Sequence, residues 1–367
     1  MNRYILPLLL LSISFLSSCI KDEALNHEAD IISLSFPENS LRDNPQYYTD
    51  YIIVYPKEDV NLRELPVEVE VTQGASYIRK ENPTLDSDSL FFIKVTSESK
   101  EYSKTYPIIQ SFLSVAFDFE TWIKPNKNYQ YENPIEGSLR WYSSNNGTAI
   151  AWRSPSKKAE DYPVRKYTRA DGKGSAVELR TIVGPGKIAG GIQNIPCLAG
   201  SVYLGGFNAL TGLTNPLRST SFGVPFNEGK PTKLTGYFKY NVGSEDYINK
   251  DGTRDKDKSD QCSIYSVIFK TDSKNEFLYG DNIATSPNII ARAEVNTDNI
   301  TSMDNLTYFE VDFDYNSYST PFDWNELKNN QYKMSIVFSS SYRGQHYEGR
   351  PGSTLIVDDI KLIYDID

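Results

Sequence analysis

Between residues 116 and 367 the chain never sustains a 3.6-residue apolar period with helix caps; short runs of β-formers recur instead between clusters of Gly, Asn, Asp and Pro. That pattern leads to an all-β fold of antiparallel strands. The last run, 352–364, is the most demanding, because Asp358 and Asp359 stand inside a long apolar, β-branched stretch. Buried adjacent carboxylates require protons, hydrogen-bond donors or a metal. An echo lies upstream at Phe117-Asp118-Phe119-Glu120-Thr121-Trp122. The two segments are expected to be the first and last strands of one β-sandwich, paired or adjacent.

The totals narrow the function classes. A net charge of −10 argues against nucleic acid, whose phosphates call for concentrated Lys and Arg. With 26 Tyr and 17 Phe beside 22 Gly and 19 Pro, the composition suits pleated surfaces joined by turns. Only two histidines, His27 and His346, are present. A histidine-ligated metal enzyme or a Ser-His-Asp hydrolase is therefore not expected, and a mechanism using carboxylates alone stays open.

Residues 1–19 read as a signal peptide: Arg3 precedes the apolar run 5–15, too short to span a bilayer. Leu16-Ser17-Ser18-Cys19 resembles a bacterial lipobox, which makes Cys19 the expected lipidation site. Ile20-Lys21-Asp22-Glu23 resembles the acidic export signal of Bacteroidetes surface lipoproteins, and the alternative is a plain solvated linker. The expected location is the outer membrane, lipid-anchored and facing the cell exterior, with a tether at 20–29. Cys197 and Cys262 are read equally as a disulfide or as two core thiols.

Residues 30–115 show short strands with turn residues between them. Leu65, Val67, Val69 and Val71 alternate with Glu68 and Glu70, and 89–97 with 102–110 form an expected hairpin. This resembles the immunoglobulin-like β-sandwich that opens many Bacteroidetes surface lipoproteins, and the expected role is a spacer.

In residues 116–367 the expected strands are 148–152 after a turn at Asn145-Asn146-Gly147, 176–183, 200–207, 233–240, 262–270, 308–315, 332–339 and 354–364. They suit a jelly-roll β-sandwich of two sheets. Phe119-Glu120-Thr121-Trp122, Trp141-Tyr142-Ser143-Ser144-Asn145, Gly236-Tyr237-Phe238-Lys239-Tyr240, Ser341-Tyr342-Arg343-Gly344 and Leu355-Ile356-Val357-Asp358-Asp359, in this order, resemble the PCMD, or putative carbohydrate metabolism domain, family. The resemblance implies a jelly-roll similar to carbohydrate-binding modules, and it brings no catalytic set. Modules of that kind often hold a structural calcium between an early Glu and a late Asp, which points to Glu120 and Asp359; the alternative is that these acids are solvated or accept backbone and Arg hydrogen bonds.

Sugar recognition asks for flat aromatic rings and for planar amides or guanidinium groups that grip hydroxyls. Trp141, Tyr142, Trp152, Tyr240, Tyr265 and Tyr342 offer the rings; Asn145, Asn146, Arg153, Arg343 and His346 offer the polar groups. The ligand-binding set expected from these is Trp141, Asn145, Trp152, Tyr240, Tyr342, Arg343 and His346. The polar loop carrying Tyr342, Arg343, His346 and Tyr347 carries most weight. The acid-rich stretch 251–260 lacks the EF-hand ligand order and reads as a solvated loop, and the Gly-rich stretch 184–191 lacks the P-loop pattern and reads as a turn. The function expected is non-catalytic glycan binding at a surface, with outer-membrane uptake partners. The competing readings are a glycoside hydrolase or esterase on the same scaffold, and a protein-binding adhesin or stalk component.

Overall fold

The structure, a computed structural model, describes residues 25–364 except 48–50, 58–59, 83–88, 111–114, 126, 155, 189–192, 210, 212–214 and 274–275. The stretch expected to be a signal peptide, Cys19 and the first part of the expected tether lie outside the described residues.

The first unit is a two-sheet β structure. Ile31–Ser35 pairs with Glu68–Val71, and facing them is a five-stranded sheet in the order Leu41–Tyr47, Ile52–Pro56, Ser103–Gln110, Ser89–Thr96, Ser76–Glu81. One pair, Ile52–Pro56 with Ser103–Gln110, is parallel, and the expected hairpin is present between Ser89–Thr96 and Ser103–Gln110. Leu34, Ile52, Val54, Phe91, Ile93 and Ile108 fill its core, with Val67, Val69 and Val71 packed against them while Glu68 and Glu70 stay exposed.

The second unit is a sandwich of two large sheets, the all-β jelly-roll class the strand pattern called for. The ten-stranded sheet runs Ile289–Glu294, Ser263–Lys270, Tyr332–Ser339, Ser201–Phe207, Leu139–Ser143, Asn133–Glu136, Thr121–Ile123, with three short strands attached. The six-stranded sheet runs Val164–Thr168, Ser175–Arg180, Thr354–Tyr364, Pro231–Asn241, Thr307–Asp312. Ala116–Phe117 joins the far end of Thr354–Tyr364, with Phe117 opposite Ile360, so the first and last strands do pair. Between the sheets lies one core, in which Trp141 is wedged among Phe117, Phe119 and Phe338 at ring separations of 5.2, 5.3 and 5.9 Å. Edge-to-face packing of such rings adds to the stabilisation from their burial.

Two local expectations change. The segment after Asn145-Asn146-Gly147 is not a strand: Ser144–Trp152 is a helix, α1. Ser143, in extended conformation, accepts the Asn145 N–H at 3.2 Å and caps the helix start, while Arg153 ends it in the left-handed region at φ 51°. The Asn145 side chain exchanges two hydrogen bonds with the Val164 backbone, at 2.8 and 3.0 Å, and Ala149 packs with Tyr131 and Tyr162. These tertiary contacts outweigh the turn signal of Asn-Gly in a helix too short to show a period. The Gly-rich stretch likewise begins as a strand, Ile182–Ile188, paired with Gln193–Leu198 through a bulge between Val183 and Gly186. Cys197 and Cys262 are free, buried thiols.

Candidate functional site

Strand alternation in the ten-stranded sheet sorts residues into two faces. Val202, Leu204, Ile264, Ile268, Ile336 and Phe338 point into the core. Tyr203, Tyr265, Val267, Phe269 and Val337 point the other way and form a second apolar cluster with Tyr142 and Phe222. This outer face is roofed. α1 contributes Gly147, Thr148, Ile150 and Ala151; the ribbon 182–198 contributes Ile188, Gln193 and Ile195; segments around Leu217 and Ile283 and the turn Gly344–His346 complete the enclosure. The result is a cavity of about 250 Å³.

Its walls are aromatic and hydroxyl-rich. Tyr203 stacks on Tyr142 at 6.3 Å and meets Phe222 at 5.2 Å. Burial raises the Tyr203 phenol well above the usual tyrosine range, and pushes that of Tyr265 up to about 12 against the pull of Arg292, so both rings are neutral hydrogen-bonding groups at any physiological pH. Ser201, Ser263, Ser339, Gln193 and Gln345 add polar atoms. Arg292 is the one charged side chain on the described lining, which holds no Asp, Glu, His, Lys or Cys.

Of the rings picked out in the sequence, Tyr265 and Tyr342 line this cavity; Tyr342 is 49 % exposed. Arg343 and His346 sit in the same loop beside it. Arg343 is held by Glu348, Nε to Oε2 at 2.9 Å, and burial together with the Arg343 charge keeps the His346 imidazole below its usual pKa. Trp141 and Tyr240 are corrected to core residues, 1 % and 0 % exposed between the sheets, where no ligand reaches them. Asn145 is corrected to the clamp between α1 and Val164. Trp152 lies at the far end of α1 against Tyr162 at 5.3 Å and under Lys157, away from the cavity lining. Tyr203 and Arg292, which line the cavity, were not picked out in the sequence. Arg292 sits on Ile289–Glu294, a strand legible afterwards in the alternation Ala291-Arg292-Ala293-Glu294.

The acids that first drew notice lie on the six-stranded sheet. Pairing between Thr354–Tyr364 and Pro231–Asn241 jumps from Thr235↔Lys361 to Tyr237↔Asp358, leaving Asp359 and Ile360 bulged against Gly236. Asp359 adopts φ 49°, and a Cβ on Gly236 would come within 2.5 Å of the Ile360 side chain. The bulge breaks the alternation that would have sent the two acids to opposite faces. Arg169 Nη1 reaches Asp358 Oδ2 at 2.5 Å and Asp359 Oδ2 at 3.5 Å, while Nη2 holds Asp171 at 2.7 Å. Asp358, not Asp359, is the buried acid; burial pushes its carboxyl up to about 6 in spite of Arg169. Glu120 accepts the Ser175 N–H at 2.7 Å. A guanidinium and backbone donors thus meet the charges assigned to calcium. Among the described residues no group of three or more His, Cys, Asp or Glu is arranged to hold a metal.

Two further carboxyls stand out. Asp260, expected in a solvated loop, is buried and accepts from Ser341 Oγ at 2.5 Å, Arg350 N at 2.8 Å and Gln261 N at 2.9 Å. Burial raises it against those donors. Ser341 Oγ also meets Thr181 Oγ1 at 2.7 Å, and Thr181 meets Ser340 Oγ at 2.8 Å. This buried chain fixes the Ser339–Gly344 loop and so the position of Tyr342. Glu136, on the Asn133–Glu136 strand, is pushed up to about 7 by burial and by the adjacent Asp118 carboxylate, while the Phe119 N–H, at 2.9 Å, pulls it down. Asp118 accepts the Glu120 N–H at 3.0 Å and lies close enough to raise Glu136. The two catalytic carboxyls of glycosidases stand about 5–9 Å apart with the sugar between them.

Residues 118–363 match the family model described as putative carbohydrate metabolism domain. A solved structure titled a putative glycoside hydrolase from Bacteroides thetaiotaomicron is 29 % identical, with a TM-score of 0.79, over 95 % of this chain and 100 % of that one. Another so titled, from Bacteroides vulgatus, is 30 % identical with a TM-score of 0.59 over 68 % of this chain and 97 % of that one. No curated protein matches.

Proposed function

The chain belongs to the putative carbohydrate metabolism domain family, and on that premise we propose that it binds a glycan in the roofed cavity of its second unit without cleaving it. One observation carries the reading: the described lining offers Tyr203, Tyr265 and Tyr342 with hydroxyls and amides, and offers no carboxylate. Aromatic faces take up the C–H faces of a sugar ring, and the serine hydroxyls and the Gln193 and Gln345 amides satisfy its hydroxyls. Acid–base hydrolysis of a glycosidic bond needs two carboxyls flanking it.

The leader with Leu16-Ser17-Ser18-Cys19 supports a lipid-anchored protein at the outer membrane, facing outward. In that setting the first unit, read as immunoglobulin-like, is a spacer that holds the cavity away from the bilayer and leaves the glycan to uptake partners. A second reading follows from the names of the two similar structures: hydrolysis. Its best local support is the raised carboxyl of Glu136 beside Asp118, but neither residue stands on the described lining of the cavity.

The test is a glycan array with the purified chain lacking residues 1–19, followed by product analysis on every glycan retained. Binding with no new reducing ends is the expected result. Release of shortened sugars that disappears in Glu136→Gln would replace the reading with hydrolysis. A silent array from correctly folded protein would end the glycan assignment.

A further inference from the structure

We propose that the cavity selects saccharides carrying a carboxylate, such as uronic acid residues, and that Arg292 is the group that recognises it. The proposal rests on the reading of the cavity as a glycan site and names the chemical class it takes. Arg292 projects from the edge strand Ile289–Glu294 onto the outer face, with its guanidinium carbon 3.8 Å from the centre of the Tyr265 ring. The strand is pinned at this residue, because Arg292 N donates to Asp314 O at 3.3 Å and Asp314 N donates to Arg292 O at 2.9 Å. The side chain is only 14 % exposed, and Nε donates to Glu294 Oε2 at 2.8 Å. Nη1 has no hydrogen-bond partner, although it is buried.

A guanidinium always carries its charge, and its fork of N–H donors matches a carboxylate two bonds at a time. Buried donors left unused are costly, so a ligand that engages them gains more than one that meets solvated groups. Glu294 occupies Nε and leaves the buried Nη1 without a partner. No carboxylate stands on the described lining; Glu294, bonded to Nε from outside it, is the acid with which a ligand carboxylate would share the guanidinium. Tyr265 holds the guanidinium plane in place from below, which fixes the approach direction. A neutral sugar would satisfy the fork poorly, one hydroxyl at a time.

The experiment is calorimetry with the chain lacking residues 1–19 against a panel of uronic acid oligosaccharides, each paired with its carboxyl-reduced neutral counterpart. At least one acidic member is expected to bind about ten-fold or more tightly than its reduced form. Arg292→Gln should erase the difference, and Arg292→Lys should restore part of it. Equal binding of acidic and reduced forms overturns the proposal, as does a preference that survives in Arg292→Gln. If Arg292→Gln does not fold, the comparison of acidic with reduced ligand on the unaltered protein decides alone. No binding of any panel member, acidic or neutral, together with a silent array, strikes the glycan reading itself.

Discussion

The two sheets of the second unit share one core and differ in what covers their other faces. On the six-stranded sheet the outward residues Tyr237, Tyr308, Glu310, Lys233 and Lys361 are met by solvent and by one another, and Asp358 is covered by Arg169. On the ten-stranded sheet they are Tyr203, Tyr265, Phe269 and Val337, roofed by α1, a ribbon and loops. Ion pairs among exposed side chains stabilise little and are screened by salt. A concave, largely apolar space with a few fixed polar groups is what a small ligand requires. The contrast teaches that in this chain the conspicuous charges mark the open face, and the space suited to binding is the one whose described lining carries no acid.

The largest expected effect separates the core from both faces. Trp141→Ala removes a fully buried ring from between the sheets and should destabilise the second unit by about 3–5 kcal/mol, lowering its melting temperature by roughly 10 °C. Denaturant titration checks this. A loss confined to ligand binding, with stability unchanged, would place Trp141 on a binding face and break the division.

The division was partly legible in the sequence. The final strand, the hairpin of the first unit and the strand Tyr332–Ser339 follow from β-branched runs bounded by turn residues, a local signal. Phe117 pairing with Ile360 was foreseeable because the two acidic runs needed a common environment. Other features depend on contacts remote in sequence. Asn145 looks like a sugar ligand until Val164, 19 residues on, takes both ends of its amide. Asp260 looks solvated until Ser341 and Arg350 close over it. The inside or outside direction of Trp141 depends on strand register, which aromatic content alone does not fix.

A second test sets one exposed tyrosine against another. Tyr342, 49 % exposed at the cavity, and Tyr237, 38 % exposed on the open sheet, have similar surfaces and different surroundings. Tyr342→Ala should weaken glycan binding about ten-fold, the loss of one stacking ring, while Tyr237→Ala leaves affinity within about two-fold. Melting temperatures of both should stay within about 3 °C of the parent, as surface substitutions do. Equal losses of affinity would mean that the open face binds as well.

Glu136 offers a smaller, pH-resolved effect. Its folded carboxyl titrates at about 7, above the ordinary glutamate value, so the native state keeps a proton that the unfolded chain has given up. Its contribution to stability is fully present below about pH 4 and is lost as pH rises through 7. Glu136→Gln keeps the neutral form at every pH and should flatten that decline. The gain at pH 8 relative to the parent should be about 1 kcal/mol, allowing for the group's partial contact with water. Urea titrations at pH 5 and 8 measure it; parallel pH profiles for parent and variant would show that Glu136 is not the group responsible.

The smallest expected effect concerns the acids of the last strand. If calcium closed the sandwich between Glu120 and Asp359, chelation would uncover closely packed charges, remove the stabilisation supplied by ion binding and so lower the melting temperature. In the structure Arg169 answers Asp358 and Asp359, the Ser175 N–H answers Glu120, and burial already favours the protonated form of Asp358. Added calcium or a chelator should therefore move the melting temperature by less than about 1 °C. Arg169→Met, by contrast, leaves Asp358 buried without its cation and should lower it by several degrees, more at pH 8 than at pH 5, where the carboxyl takes up a proton. A calcium-dependent rise in the parent that is enlarged in Arg169→Met would show ion and guanidinium competing for one site, and would return the open face to the list of binding surfaces.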